Sequence, residues 1–192
     1  MPREHAVIRK NPSGDLPVIH ESAFVDPTAI ICGRVVIREN VFIGPYVVIR
    51  ADEAGPDGGM QPIVIGANSS IQDGVIIHSR AGAGVLIGSD TSIAHRAIVH
   101  GPCDVGDRVF IGFNSVLYNC SVGHDCVVRH NAVVDGCRLP RGFHVPSTER
   151  IGPATDLEQI PRVTAEAAEF SEDVARTNNQ FVSGYKRIQN EL

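Results

Sequence analysis

The stretch that decides the fold runs from residue 87 to residue 102: Ile87-Gly88-Ser89-Asp90-Thr91-Ser92-Ile93-Ala94-His95-Arg96-Ala97-Ile98-Val99-His100-Gly101-Pro102. Within it an aliphatic residue returns at every sixth position, at Ile87, Ile93 and Val99. A step of six rotates an α-helical residue well away from its predecessor's face, so no amphipathic helix fits the pattern. A parallel β-helix does: each hexad is one short strand plus a turn, and its aliphatic side chain enters a stacked core.

The same series extends in both directions. Upstream it reads Ile19, Val25, Ile31, Ile37, Ile43 and Ile49, then Ile65, Ile71 and Ile77. Downstream it reads Val105, Ile111 and Leu117 and, one residue short, Val122, Val128 and Val134. The next position is often glycine, as at Gly44, Gly88 and Gly106. Three hexads per coil give six coils and a partial seventh near Leu139 to Val145. Two interruptions stand out: ten extra residues between Ile49 and Ile65, and four between Ile77 and Ile87. Repeat proteins carry such insertions as loops that leave the stack intact, often on the binding face. Both flank one coil, which is where a site is expected.

From about Thr155 the repeat stops. Phe170, Val174, Phe181, Tyr185 and Ile188 then follow a helical stripe, with Thr177 at the step between. The expected organisation is a solenoid over residues 1–154 and a C-terminal segment, 155–192, whose helix packs on the solenoid or on a neighbouring subunit.

Composition narrows the function classes. The chain has 192 residues, 43% hydrophobic and 20% charged, enough apolar material for a core. The 19 glycines do not recur at every third residue, which excludes collagen. With 17 Lys and Arg against 22 Asp and Glu there is no basic surplus for a phosphate backbone. No apolar run approaches the roughly 20 residues of a membrane-spanning helix, and none follows the N-terminus as in a signal peptide. Five cysteines, an odd number without a CxxC pair, suit a reduced chain. The expectation is a cytoplasmic protein that binds neither nucleic acid nor membrane.

Eight histidines occur. His5, His20, His124, His130 and His144 read as surface or turn residues. His78, His95 and His100 are related by the repeat. His78 follows Ile77 and His100 follows Val99, so both hold the second position of a hexad on the same face of successive coils. Strands about 4.8 Å apart allow two such imidazoles to share one metal ion. His95, third in its hexad, belongs to a different face, and a neighbouring subunit related by threefold symmetry brings it to the pair. Three neutral imidazoles with an open fourth position describe a catalytic zinc site. The competing account is polar turn positions that carry histidine, because no HxH or HxxxH chelate is present.

The surrounding residues bear on that choice. The segments Ser70-Ile71-Gln72-Asp73-Gly74-Val75-Ile76-Ile77-His78 and Ile93-Ala94-His95-Arg96-Ala97-Ile98-Val99-His100-Gly101-Pro102 resemble the γ-class carbonic anhydrases. So does Val48-Ile49-Arg50-Ala51-Asp52-Glu53, and the resemblance reaches Gly184-Tyr185-Lys186. It implies a left-handed parallel β-helix of hexapeptide repeats with a C-terminal α-helix, assembled as a homotrimer with zinc at the subunit interfaces. The implied activity is reversible hydration of CO2 to bicarbonate. The implied ligands are His78, His95 and His100, the middle one from the neighbour, and iron or cobalt also suits imidazoles. Gln72 would bond the metal-bound hydroxide or bicarbonate, Glu53 would assist proton transfer, and Asn178 would stand near the substrate, with Asn179 one register step away. Arg50 would pair with Asp52 and Asp73 across the interface.

Two positions depart from the family pattern. Ala81 stands where the best-studied members carry a shuttle glutamate, and Ser70 stands where they carry asparagine. Both point to the short-loop subclass, in which activity varies. The alternatives are therefore a metal-binding trimer or scaffold with weak or no catalysis and, further off, a hexapeptide acyltransferase. Cys103 is near His100 in sequence, but its register points it away from the ion.

Overall fold

The structure, a computed structural model, describes residues 6–191; His5 lies outside them. The chain is a left-handed parallel β-helix of about seven coils with one C-terminal helix. Each coil contributes a strand to each of three faces. On the first face Ile49, Ile77, Val99 and Leu117 are ladder partners. On the second the partners are Ile37, Ile65, Ile87 and Val105. On the third they are Ile43, Ile71, Ile93 and Ile111. All are buried in one core. The stack continues through Leu139, Val145 and Ile151, past the partial coil expected from the sequence, because the spacing of six resumes after each of two steps of five, Leu117 to Val122 and Val134 to Leu139.

Parallel stacking in register repeats every hexad position as a column, and the corners show it best. Where the third face turns into the first, successive coils hold Pro45, Asp73, His95, Phe113 and His130 one above another. Backbone bonds tie them: Gly74 N donates to Pro45 O, Arg96 N to Asp73 O, Asn114 N to His95 O and Asn131 N to Phe113 O, at 2.8–3.1 Å. The residue after each column member takes up the turn. Gly74, Asn114 and Asn131 have φ of 68°, 56° and 55°, a left-handed conformation that glycine and asparagine adopt at low cost.

Both insertions leave the solenoid at the corner between the first and second faces, in consecutive coils. Residues 52–62 follow the strand Val48–Ala51, and residues 80–84 follow Ile76–Ser79. The loops pack together: Gly82 N donates to Glu53 O at 3.1 Å, and a Cβ on Gly82 would stand 3.2 Å from Gly55 Cα. Buried Met60 and a bond from Arg34 Nη1 to Met60 O, 2.8 Å, anchor the longer loop.

The C-terminal helix, Ala165–Glu191, lies on the third face. Thr164 Oγ1 accepts the Ala167 amide at its start, and Lys186 Nζ donates to the carbonyls of Glu21 and Ala23 near its end. The expected stripe is displaced. Asn178 and Val182 are buried and Val174 half-buried, whereas Phe181, Tyr185 and Ile188 are exposed. The reason lies in what the helix meets. Phe24 and Phe42 project from the solenoid and stack with Tyr185, at 4.9 and 6.1 Å between centroids. The helix aromatics therefore flank the seam, and small residues fill it.

Replacing Ile77, which is fully buried, by alanine is expected to lower the unfolding free energy by about 2–5 kcal/mol. Leu86→Ala, on the outer surface of the second face and 48% exposed, should cost at most about 0.5 kcal/mol. Denaturant unfolding of both variants checks the inward and outward assignments.

Candidate metal centre

The first face carries a column of outward residues: Cys32, Arg50, His78, His100, Tyr118 and Asp135 are partners in successive strands. His78 and His100 are thereby stacked, with Nδ1 of His78 3.4 Å from Nε2 of His100. The outer nitrogen of each ring has its own partner. Nε2 of His78 meets Asp52 Oδ1 at 3.1 Å, and Nδ1 of His100 meets Gly101 O at 3.2 Å. A carboxylate or a carbonyl can only accept, so with the hydrogens on those two nitrogens both contacts are hydrogen bonds, and Arg50 Nη2 also stands 3.5 Å from His78 Nε2. The facing nitrogens then present two lone pairs to each other, an arrangement that calls for a cation between them.

The separation fits a metal ion. Two imidazole nitrogens bound tetrahedrally at about 2.0–2.1 Å stand about 3.3–3.4 Å apart. The outer contacts are the usual supports of ligating histidines, which fix ring orientation and tautomer. Asp52 is itself held by Arg50, with Nη1 to Oδ2 at 2.7 Å, and is only 15% exposed. Arg50 and Asp52 pair within one chain, and Asp52 also orients a histidine, a role its sequence position does not reveal. Glu53 Oε1 lies 3.5 Å from His78 Nε2 and is half exposed. The Tyr118 ring lies against His100, 5.5 Å between centroids.

His95, Gln72, Asp73 and Asn178 form a second set, at the corner between the third and first faces. Nδ1 of His95 lies 3.6 Å from Asp73 Oδ2. Asp73 stands with His95 and makes no ion pair with Arg50 among the described residues of the chain. His95, Gln72 and Asn178 line two adjoining cavities of about 380 and 230 Å³. Phe110, Phe113 and Phe170 wall the larger, and Phe42, Phe181 and Tyr185 the smaller. Asn179 faces elsewhere, along the helix's other flank, in a cavity of about 970 Å³ that contains no histidine. Within one chain, no group of three or more His, Cys, Asp or Glu among the described residues converges on a metal position. Each chain therefore holds the two sets apart.

His130 lies in a turn, as read, and is half-buried there. It stacks on Phe113 at 4.4 Å between centroids and accepts the Phe113 amide on Nδ1 at 3.0 Å. Phe113 in turn packs on His95 at 5.2 Å. Burial first, then the charge of Arg129, pushes the His130 pKa below its ordinary value. The only signal in the sequence is that 95, 113 and 130 share one corner position. Cys103 points into the core, 3.8 Å from Cys120 of the next coil.

Comparison with known proteins agrees with this architecture. The bacterial transferase hexapeptide (six repeats) family matches residues 17–51 and 84–119. Carbonic anhydrase from Methanosarcina thermophila is 33% identical over 205 residues, covering 96% of this chain and 81% of that protein. Carboxysome assembly protein CcmM from Nostoc sp. is 38% identical over 177 residues. Those residues cover 87% of this chain and 31% of CcmM, so the chain spans about a third of that relative's length. Among solved structures, a Bacillus cereus protein superposes with a TM-score of 0.82 at 23% identity, covering 96% of this chain and 99% of that one. A hexapeptide transferase family protein from Anaplasma phagocytophilum gives 0.70 at 22%, covering 93% and 98%. At these identities the structures speak for the fold alone.

Replacing Asp52 by alanine should weaken divalent-metal affinity about 10- to 100-fold, measured by competition with a chelator. A pH effect is expected at His130. The fold favours its neutral form, so the unfolded chain takes up the proton first. The neutral ring's contribution is complete above pH 6.5, the ordinary value, and is lost as pH falls towards the lower folded pKa. His130→Gln should flatten the acid-side decline in unfolding midpoint between about pH 6.5 and 5.

Proposed function

The chain belongs to the γ-class carbonic anhydrase-like family of hexapeptide-repeat proteins, and from that premise we propose that it is a zinc-dependent carbonic anhydrase acting as a homotrimer. The observation that carries the reading is the pair of facing imidazole nitrogens, Nδ1 of His78 and Nε2 of His100, 3.4 Å apart. His95 of the adjoining subunit would complete the ligand set. Its Nδ1 stands towards Asp73, and its Nε2 has no hydrogen-bond partner among the described residues of its own chain.

A surface on the first face supports the trimer. Beside the histidine column runs a second outward column, Ile30, Val48, Ile76, Ile98, Val116 and Val133. Ile76 and Ile98 are 42% and 37% exposed in the single chain. A flat aliphatic stripe next to an incomplete ligand set is what a neighbouring subunit would cover.

A bound zinc ion would supply Lewis-acid activation of water near neutral pH. The chain's own residues do the rest. Asp52 and the Gly101 carbonyl hold the two rings in their ligating tautomers, and Arg50 holds Asp52. The aromatic walls beside His95 exclude bulk water around apolar CO2. The amides of Gln72 and Asn178 can donate to the oxygens of bicarbonate as it forms. Glu53, 3.5 Å from His78 and open to solvent, is the carboxylate in reach to accept the proton. Iron or cobalt would satisfy the same imidazole donors.

The 80–84 loop carries no carboxylate to take over from Glu53. Proton release should therefore limit turnover, and this feature favours the second reading, a metal-binding trimer of low activity. The compartment proposed is the cytoplasm, with no helix among the described residues long and apolar enough to cross a membrane.

Complementation tests the shared site. His95→Ala and His100→Ala chains should each be inactive in stopped-flow CO2 hydration. Co-expressed, they should regain activity, because each mixed trimer contains one interface with all three ligands intact. Failure to complement, with trimers and metal present, would overturn the interfacial site. Added imidazole should raise the wild-type kcat and leave kcat/KM unchanged, since an external buffer takes over a proton removal that follows the CO2 step.

A further inference from the structure

The three histidines of the proposed site are not held alike. His78 and His100 are each tied through the outer nitrogen, to Asp52 and to the Gly101 carbonyl, at 3.1 and 3.2 Å. The His95 ring has no hydrogen bond among the described residues. Its Nδ1 stands 3.6 Å from Asp73 Oδ2, beyond hydrogen-bond length, and its side chain is 47% exposed. Ligating histidines are ordinarily fixed by a bond on the other nitrogen, so the orientation of this ring needs a different support.

The next residue of the corner column supplies it. The Phe113 ring lies 5.2 Å from the His95 ring between centroids, tilted by 36°, within the range of favourable aromatic contact. Phe113 is 41% exposed, so burial alone does not fix it. His130, one coil further on, does. Its ring stacks on Phe113 at 4.4 Å and 21°, and its Nδ1 accepts the Phe113 amide at 3.0 Å. His130 is seated in turn. Buried Phe110 meets it edge-on at 6.3 Å and 88°, and Gly112 gives it room, since a Cβ there would stand 2.8 Å from Nδ1. Three rings from successive coils thus form one stack, anchored at His130 and ending on His95.

We propose that Phe113 and His130 are positioning residues for the metal centre: His130 sets the Phe113 ring, and Phe113 sets the His95 imidazole for the neighbouring subunit's pair. The proposal rests on the reading of His95 as a ligand. For this one histidine the flat face of an aromatic ring does what a hydrogen bond does for the other two. It restricts the ring's rotation by shape and leaves both nitrogens free.

Zinc affinity of the full chain, measured by competition with a chelator, tests the stack without reference to turnover. Phe113→Leu, which keeps apolar bulk but no flat ring, should weaken affinity about two- to twelvefold, the worth of one aromatic pair. Phe113→Tyr should keep the wild-type value. His130→Ala should fall in the same range as Phe113→Leu, and the double variant should be no weaker than Phe113→Leu alone, because both act through one ring. Added to His95→Ala, Phe113→Leu should change nothing further. Wild-type affinity in Phe113→Leu would overturn the proposal. So would an undiminished effect of Phe113→Leu in the His95→Ala background, since the ring would then be supporting the fold and not the ligand. If His95→Ala alone binds zinc as tightly as the wild type, the ligand assignment itself is wrong and the proposal falls with it.

Discussion

Parallel stacking of coils in register is the constraint on which the rest of this molecule depends. Each backbone amide bonds to the coil above or below, so a residue at one hexad position lies over its counterpart about 4.8 Å away. Inside, this turns single isoleucines into three buried ladders. Outside, it turns single polar residues into columns. Arg50, His78 and His100 are 28 and 22 residues apart in the chain, yet they are neighbours because the ladder has no alternative register. A slip of one residue would send every core aliphatic outward and the histidines inward. The core's apolar area thus enforces the geometry of the polar column.

That coupling leaves the column's chemistry to be set by what touches the rings from the side. Two stacked imidazoles could share a proton as readily as a metal ion. The insertion after Ala51 biases the outcome, because it brings Asp52 against the outer nitrogen of His78 while Gly101 O takes that of His100. Gly101 is restricted for a related reason: a Cβ there would stand 2.4 Å from Gly84 O, so the backbone beside His100 closes tightly against the shorter insertion. Loop and strand together determine which lone pairs face each other.

The period of six made the solenoid legible, along with its three ladders and the stacking of His78 on His100, because each follows from position within a repeat. It also separated His95 from that pair. What stayed hidden were contacts that no repeat position encodes. Asp52 reads as the partner of Arg50, and its contact with His78 depends on the path of a non-repeating loop. His130 reads as a turn residue, and its hold on Phe113 depends on ring stacking along a corner. The helix was read from its most apolar residues, but Phe24 and Phe42 project from the solenoid and take the helix aromatics at the edge of the seam. The buried line therefore passes through Asn178 and Val182 instead.

A triangular coil also limits what one chain can assemble. Residues on the first face share a column, and residues at the corner between the third and first faces share another. The distance between columns is set by the width of the face and cannot be closed by side-chain rotation without breaking the stack. A chain of this fold can therefore supply two adjacent ligands easily and a third one poorly. On the proposed reading, the missing ligand comes from a copy whose corner lies against this face, and the aliphatic stripe of Ile76 and Ile98 would hold the copies together. The rigidity that aligns His78 with His100 is what keeps His95 out of their reach, so on that reading metal binding and subunit association would become one equilibrium: a monomer would hold the ion with two imidazoles, and each further subunit would gain affinity by the ligand it brings.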